Sequence, residues 1–389
     1  MRYKNDRNLL LLFVLFMLLA WGCSERTDEP VVATGDAVPI GFTASLSVAT
    51  SWLNSDPLSA GNATTRADDD IDLANLKLAG KGFGVFASYT GLHKYSESDV
   101  TSDFMYNDRI WWNAGRWVYE PLRYWPDGQT TGTGDTSGLP HFVSFFAYGP
   151  YSYSDTDDAD PENRPADYCI QSFHYPSEHT NPWLVYRLHP DVTKQVDLLY
   201  AQMLDQTKPL GSENTPVLFS FKHALACVGD QLTFVPTGAV QGAVDARGDG
   251  TTLRLTHVSL TYHLTEKARL SLWSPTEGEA NWQPILSENF LTEREVELLD
   301  EEPEDGTVIY TANGSVTNNV MSGEGVYYIP LEVGDKRQSA TVHVTYVVMK
   351  NGNVLQTIEG DDEIYLSDYH DAYQSDKRLN IKVTLDNFR

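Results

Sequence analysis

Apolar side chains recur at every second residue near both ends of the chain. Over residues 38–48 the apolar positions are Val38, Ile40, Phe42, Ala44, Leu46 and Val48. Over residues 379–388 they include Leu379, Ile381, Val383 and Leu385. Because successive side chains of a strand point to opposite faces, this period predicts half-buried β-strands at both places. Pro39 cannot donate to a ladder of hydrogen bonds, so we expect the first strand to lie at the edge of a sheet.

The sequence between these two segments also favours β-structure. It is rich in Val, Thr and aromatic residues, which prefer strands, and in Gly and Pro, which mark turns. Strands are predicted at 83–89, 141–148, 217–221, 227–234, 253–264, 268–273, 326–333 and 341–349, with a hairpin at 110–119. The nearly continuous apolar run at 141–148 predicts a central strand, and a shift of apolar phase within 253–264 predicts a bulge. A short helix is expected only near 191–199, so the pattern predicts an all-β fold of sandwiches.

The first 23 residues have the pattern of an export signal. Basic residues precede an apolar run of thirteen residues at 9–21. This run is too short to cross a hydrocarbon core, which takes about 20 helical residues, but it suits a signal peptide. Cys23 follows at once, with small residues at −3 and −1, so the segment resembles a bacterial lipobox and predicts lipid attachment at Cys23. Ala20 at −3 and Trp21 at −2 depart from the usual pattern, and a signal peptide with an incidental cysteine is the alternative.

A polar stretch separates the first predicted strand from the rest of the chain. Residues 51–70 are rich in Gly, Asn, Ser, Thr and Asp, and exposed polar loops are where proteases cut. Arg66 is the only basic residue between Arg26 and Lys77. Spacing alone leaves two interpretations of Arg66 open, a cleavage site and an ordinary solvated side chain.

Charge and motifs exclude several classes of function. The formal net charge of −26 repels phosphate groups, so we exclude nucleic acid as a partner. The sequence has no GxSxG, HExxH or Walker A motif, and no GxGxxG before a helix. We therefore expect no catalytic residues and no cofactor, and predict that the protein is not an enzyme. His174, Glu178 and His179 favour structural roles over metal binding, and the acidic loop at 155–162 lacks the glycine of an EF-hand.

Two further groups of residues leave alternatives open. Trp111, Trp112, Trp117 and Trp125 are typical of core packing in a β-domain, but exposed tryptophans also stack on sugars. This second interpretation predicts a surface glycan-binding lipoprotein that stays monomeric. Cys169 and Cys227 could form a disulfide or remain two separate thiols.

Several short motifs follow one another in a characteristic order. They are the Cys23 lipobox, Ile40-Gly41-Phe42, Thr64-Thr65-Arg66-Ala67, Phe83-Gly84-Val85-Phe86-Ala87, Trp117-Val118-Tyr119, Tyr124-Trp125-Pro126, Val143-Ser144-Phe145-Phe146-Ala147-Tyr148, Asp197-Leu198-Leu199-Tyr200-Ala201 and Phe221-Lys222-His223-Ala224-Leu225. In order and spacing the chain resembles the fimbrillins, the type V pilin-like lipoproteins of Gram-negative gut and oral anaerobes. The resemblance implies two transthyretin-like β-sandwich domains. With a signal peptide at 1–22 and a tether, first strand and cleavable segment at 23–66, these domains would span 67–206 and 207–389.

The resemblance also implies a mechanism of assembly. The precursor reaches the outer membrane, and an Arg-specific protease cuts between Arg66 and Ala67. Removal of the first strand opens a groove, which the C-terminal strand of a neighbouring subunit fills, so that subunits join head to tail at the cell surface. The implied partners are other pilin subunits, the outer membrane through the lipid, the protease, and a receptor on a host or bacterial surface. A cut site together with a terminal strand favours a stalk subunit over a tip or an anchor.

Overall fold

The computed structural model describes residues 38–46, 63–64, 73–126, 140–152, 169–209, 215–276, 279–285, 291–323, 325–331, 337–369, 375 and 377–386. All of them belong to one compact unit, Val38–Arg389. The signal segment, Cys23, Val48, Arg66 and Ala67 lie outside the described residues, so the statements about them stay predictions. Within these ranges there is no helix with the length and apolar character needed to cross a membrane.

Strands make up most of the regular structure. In chain order they are β1 (Phe42–Leu46), β2 (Ala63–Thr64), β3 (Phe83–Gly91), β4 (Met105–Asn113), β5 (Arg116–Val118), β6 (Phe142–Gly149), β7 (Ile170–Phe173), β8 (Trp183–Arg187), β9 (Leu199–Gln206), β10 (Val217–His223), β11 (Ala226–Pro236), β12 (Thr251–Thr265), β13 (Lys267–Ser271), β14 (Asn281–Gln283), β15 (Leu291–Asp300), β16 (Thr307–Thr311), β17 (Val320–Ser322), β18 (Val326–Tyr328), β19 (Ser339–Lys350), β20 (Asn353–Tyr365) and β21 (Arg378–Leu385). The α-helices of the described residues are α1 (Leu73–Leu76) and α2 (Gly238–Asp245). The predicted all-β fold is confirmed.

A seven-stranded sheet carries the first strand at its edge. Its strand order is β1-β10-β9-β6-β3-β4-β5, and β1 runs parallel to β10. The position of β1 at the edge agrees with the expectation from Pro39. The apolar strand β6 lies between β9 and β3 and is buried from Val143 to Gly149, as its composition predicts. The hairpin of β4 and β5 is also confirmed, with Trp112 opposite Trp117.

The C-terminal strand lies in a second group of sheets. The order β17-β11-β21-β2 places β21 parallel to β11, and a facing sheet has the order β15-β12-β19-β20. Apolar side chains of both sheets form one core, which includes Phe234, Leu255 and Tyr346. The predicted bulge in β12 is confirmed, because the register against β19 shifts between Leu255 and His257.

A further sheet joins residues from both halves of the chain. Its order is β14-β13-β8-β7, so β8 from the first half pairs with β13 from the second. The predicted domain boundary lies at residue 206, where β9 ends. The strand β10 follows this boundary and nevertheless pairs with β9. A core cluster that contains Phe146, Leu184 and Leu270 covers this region. The division into domains at 67–206 and 207–389 stays a prediction.

The prediction of a short helix near 191–199 is wrong. Only Val192–Lys194 form a 3-10 turn, in which the Asp191 side chain accepts a hydrogen bond from the Thr193 amide. A short polar side chain that bonds to the backbone in this way favours a turn over a continuing helix. The longer of the two described α-helices, α2, begins after Thr237, whose side chain accepts a hydrogen bond from the Val240 amide.

Candidate functional site

The segment 38–46, which contains β1, places its even-numbered side chains in the core beneath the seven-stranded sheet. Ile40 and Phe42 are 1% and 6% exposed, so both are fully within the core. Val38, Ala44 and Leu46 are half-buried and pack against the same cluster. The alternation predicted for this segment therefore corresponds to one inward face, from Val38 to Leu46.

Phe42 is the aromatic anchor of this strand. Its ring centroid lies 5.3 Å from that of Tyr119, 5.7 Å from that of Phe145 and 5.7 Å from that of Phe219. The first two contacts are edge-to-face and the third is stacked, which are favourable arrangements for aromatic rings. Phe42 thus fills a socket of three rings that come from distant parts of the sequence.

Backbone hydrogen bonds hold the strand on two sides. On one side β1 pairs with β10 from Phe42, opposite Val217, to Leu46, opposite Phe221. On the other side the Ile40 amide donates to the Arg123 carbonyl (2.9 Å), and the Trp125 amide donates to the Val38 carbonyl (3.0 Å). Residues 38–40 are therefore held by residues 123–125 and residues 42–46 by β10, on opposite sides of the segment, even though β1 is the outermost strand of its sheet.

The Tyr119 side chain links Ile40 to Arg123, where the pairing between residues 38–40 and 123–125 occurs. Its buried hydroxyl donates to the Ile40 carbonyl (2.9 Å) and accepts a hydrogen bond from the Arg123 amide (3.1 Å). Burial raises the pKa of Tyr119 to about 12, so the hydroxyl stays protonated and can donate. The Tyr-x-Pro sequence recurs at Tyr148, whose hydroxyl accepts from the Ser152 amide four residues later (3.2 Å). This repeated local pattern was the available sequence signal for Tyr119.

The C-terminal strand fills the core of its own half of the chain. Leu379, Ile381, Val383 and Leu385 are 5%, 3%, 2% and 1% exposed, and all four belong to the core cluster of the second group of sheets. The alternate residue Lys382 is exposed. The structure thus places β1 and β21 in different sheets and does not bring them together.

Two of the sequence motifs meet in a buried polar contact. The Nδ1 atom of His223, at the end of β10, lies in hydrogen-bond contact with the Oδ2 atom of Asp197. Both side chains are buried, and the Asp197 Oδ1 atom accepts a hydrogen bond from the Leu198 amide (2.9 Å). The sequence assigned no role to either residue. The motifs that contain them singled out both residues in the sequence. Their contact joins positions 26 residues apart and therefore depends on the tertiary fold.

The tryptophans pack against other side chains. Trp125 is buried, and Trp111 and Trp117 are half-buried against the core that holds β1. The rings of Trp112 and Trp117 meet edge to face with centroids 5.1 Å apart, and the Lys77 ammonium lies 4.6 Å from the Trp112 ring. These contacts fit the packing interpretation better than an open sugar platform.

The histidines and cysteines have separate environments. His174 is buried, with its Nδ1 atom 3.3 Å from the Thr180 hydroxyl and 3.4 Å from the Glu178 carboxylate, whereas His179 is exposed near Asp99. Burial lowers the pKa of His174, and the Glu178 carboxylate opposes this shift only in part. Within the described ranges, no three His, Cys, Asp or Glu side chains converge as a metal site would require. Cys169 and Cys227 are both thiols.

Comparison with known proteins identifies relatives for this arrangement. A family model described as fimbrillin-like matches residues 65–387. The chain is 33% identical over 75 residues to the fimbrium subunit Fim1C of Phocaeicola vulgatus, a match that covers 19% of this chain and 17% of that relative. It is similar in fold to a crystal structure of a fimbrial protein from Bacteroides vulgatus, with a TM-score of 0.50 and 17% identity over 90% of this chain and 96% of the other. Because the family model matches most of its length, the chain belongs to the fimbrillin-like family.

Proposed function

We propose that the protein is a structural or adhesive subunit of a cell-surface fimbria, made as a lipid-anchored precursor and assembled by exchange of strands. Family membership supports the fimbrial role, and the fimbrial names of its relatives agree with it. The observation that carries the mechanism is the position of β1. It is an edge strand that fills an aromatic socket, and it lies on the N-terminal side of Arg66.

Loss of the first strand would leave an unstable surface. Ile40 and Phe42 are buried in the present state, and each such side chain contributes about 1.5–3 kcal/mol on burial. Removal would also expose the Phe219 side of the socket and leave the amides of β10 that now face β1 without partners. An apolar groove beside an open strand edge favours the addition of a strand from another chain.

The C-terminal strand of a neighbouring subunit is the proposed occupant of this groove. Leu379, Ile381, Val383 and Leu385 repeat the alternation of the first strand with aliphatic side chains. Because these side chains are buried in their own core, donation is an exchange in which β21 leaves one apolar site and enters another. The joint is head to tail and does not close on itself, so it produces filaments.

The proposal includes the path of the precursor. Acyl chains on Cys23 hold it on the outer membrane, and an Arg-specific protease cuts between Arg66 and Ala67. The mature part then comprises two transthyretin-like sandwich domains, at 67–206 and 207–389. A cut site and a terminal strand in the same chain suit a stalk subunit, which accepts at one end and donates at the other.

N-terminal sequencing of sheared surface filaments and of the membrane-bound pool tests the proposal. We expect a start at Ala67 in the filaments and a blocked, lipidated Cys23 in the membrane. The variant Arg66→Ala should remain uncut and stay out of filaments, whereas the control Arg26→Ala should assemble normally. A start at Cys23 in every pool, with no filaments, would instead favour an anchor subunit or a monomeric surface lipoprotein.

A further inference from the structure

A two-residue strand covers the outer edge of the C-terminal strand. β2 comprises Ala63–Thr64 and pairs antiparallel with β21, with Ala63 opposite Leu379 and Thr64 opposite Arg378. On its other side β21 pairs with β11 through seven residue pairs. Among the described strands, β2 alone covers the outer edge of β21.

β1 and β2 belong to the same N-terminal segment. β1 pairs with β10 in the seven-stranded sheet, and β2 pairs with β21 in another sheet. Arg66 follows β2 by two residues. A cut after Arg66 would therefore separate both strands from the rest of the chain in a single event.

We propose that β2, in addition to β1, locks the uncut subunit. By this lock we mean that Ala63–Thr64 covers the edge of the C-terminal strand and holds that strand in its own core. A strand edge without a partner is a template for pairing with other chains, and a strand that loses a neighbour opens more readily. The consequence for assembly rests on the proposed function: the uncut chain can neither accept a strand nor donate one, and a single cut activates both ends.

Hydrogen exchange on the uncut full chain tests the lock without any assembly step. The variant Ala63→Pro/Thr64→Pro removes both amide donors that could pair with β21, and Ser59→Pro/Ala60→Pro is the matched control. We expect amides at the start of β21 to exchange about five- to thirtyfold faster in the first variant, as for the loss of one or two hydrogen bonds. Exchange in Val217–His223 should not change, because β1 remains in place. Unchanged exchange in β21 would overturn the proposal.

A mixing experiment tests the consequence for donation. Labelled uncut chain is added to unlabelled chain that has been cut after Arg66 and is forming filaments. Uncut wild type should be excluded, whereas the uncut Ala63→Pro/Thr64→Pro variant should join as one terminal, donating subunit. Equal incorporation of both would show that β2 does not restrain donation. If the cut chain alone forms no filaments, the proposed function fails. The hydrogen-exchange measurement still tests whether β2 holds β21 in place.

Discussion

The Nδ1 atom of His223 contacts the Oδ2 atom of Asp197, and this buried contact ties the end of β10 to the start of β9. His223 lies opposite Leu199 in the β9–β10 ladder, and Asp197 also accepts a hydrogen bond from the Leu198 amide. Since β10 is the strand that supports β1, the contact fixes one wall of the proposed groove.

Substitution of either member of this pair should destabilise the protein. Removal of one partner from a buried hydrogen-bonded contact typically costs about 1–3 kcal/mol, because the other group loses that contact. We expect this loss for Asp197→Ala in urea unfolding followed by tryptophan fluorescence. The double variant Asp197→Ala/His223→Ala should lose less than the sum of the two single variants. Additive losses would mean that the two side chains contribute independently.

Phe42→Ala should loosen the first strand without unfolding the rest. Loss of a buried phenylalanine side chain typically costs about 3–5 kcal/mol, and here it empties a socket formed by Tyr119, Phe145 and Phe219. In the uncut chain, amides of β10 should then exchange faster with solvent. The control Thr43→Ala changes the half-buried neighbour on the opposite face, and its exchange should resemble wild type. Equal effects of the two variants would contradict an anchoring role for Phe42.

Sequence patterns predicted the strands that have a strong apolar period or a clear turn. The hairpin of β4 and β5 follows from aromatic residues on either side of Asn113–Arg116, and the bulge of β12 follows from its change of apolar phase. The inward face of β1 was also predictable, because Ile40 and Phe42 stand two residues apart. In each case the information is local to the segment.

The structure departs from the sequence patterns where tertiary contacts decide. β15 carries Glu293, Glu295 and Glu297 on its exposed face, and β20 contains Gly360 and Asp361, residue types that are poor strand formers. Both lie at the edges of a sheet whose central strands, β12 and β19, supply the ladder partners. The cover of β2 over β21 escaped prediction for a similar reason, because two residues give no periodicity.

The stability of the protein should fall at mildly acidic pH because of His174. Burial lowers the pKa of this side chain in the folded state, so the unfolded chain binds the proton more readily. The contribution of neutral His174 is complete above the ordinary histidine pKa of about 6.5 and is lost as pH falls through the lower pKa of the folded state. Urea unfolding of wild type between pH 7.5 and 5 should show this decline.

His174→Gln should flatten this dependence on pH, because glutamine does not titrate. His179→Gln is the control, since His179 is exposed, and its profile should follow wild type. If the His174→Gln profile matched that of wild type, the decline would arise from other groups.

Gly84→Ala should destabilise the protein, because Gly84 of the Phe-Gly-Val-Phe motif packs closely against Tyr148 and Asn107. Gly84 lies opposite Tyr148 in the β3–β6 ladder, and a methyl group at this position would stand 2.6 Å from the Tyr148 Cζ atom and 2.7 Å from the Asn107 Oδ1 atom. Neither neighbour can yield easily, because the Tyr148 hydroxyl lies within hydrogen-bond distance of two acceptors, the Asn107 Oδ1 atom (2.7 Å) and the Ser152 carbonyl (2.8 Å), which share its one proton. Overpacking of this kind typically costs about 1–3 kcal/mol. Gly238→Ala is the matched control, since no atom beyond its chain neighbours and the backbone of its own helix lies within 4 Å of its added methyl group, and its unfolding midpoint in urea should equal or exceed that of wild type. A Gly84→Ala midpoint at the wild-type value would mean that β3 and β6 shift to accept the methyl group, and the glycine of the motif would then have no packing role.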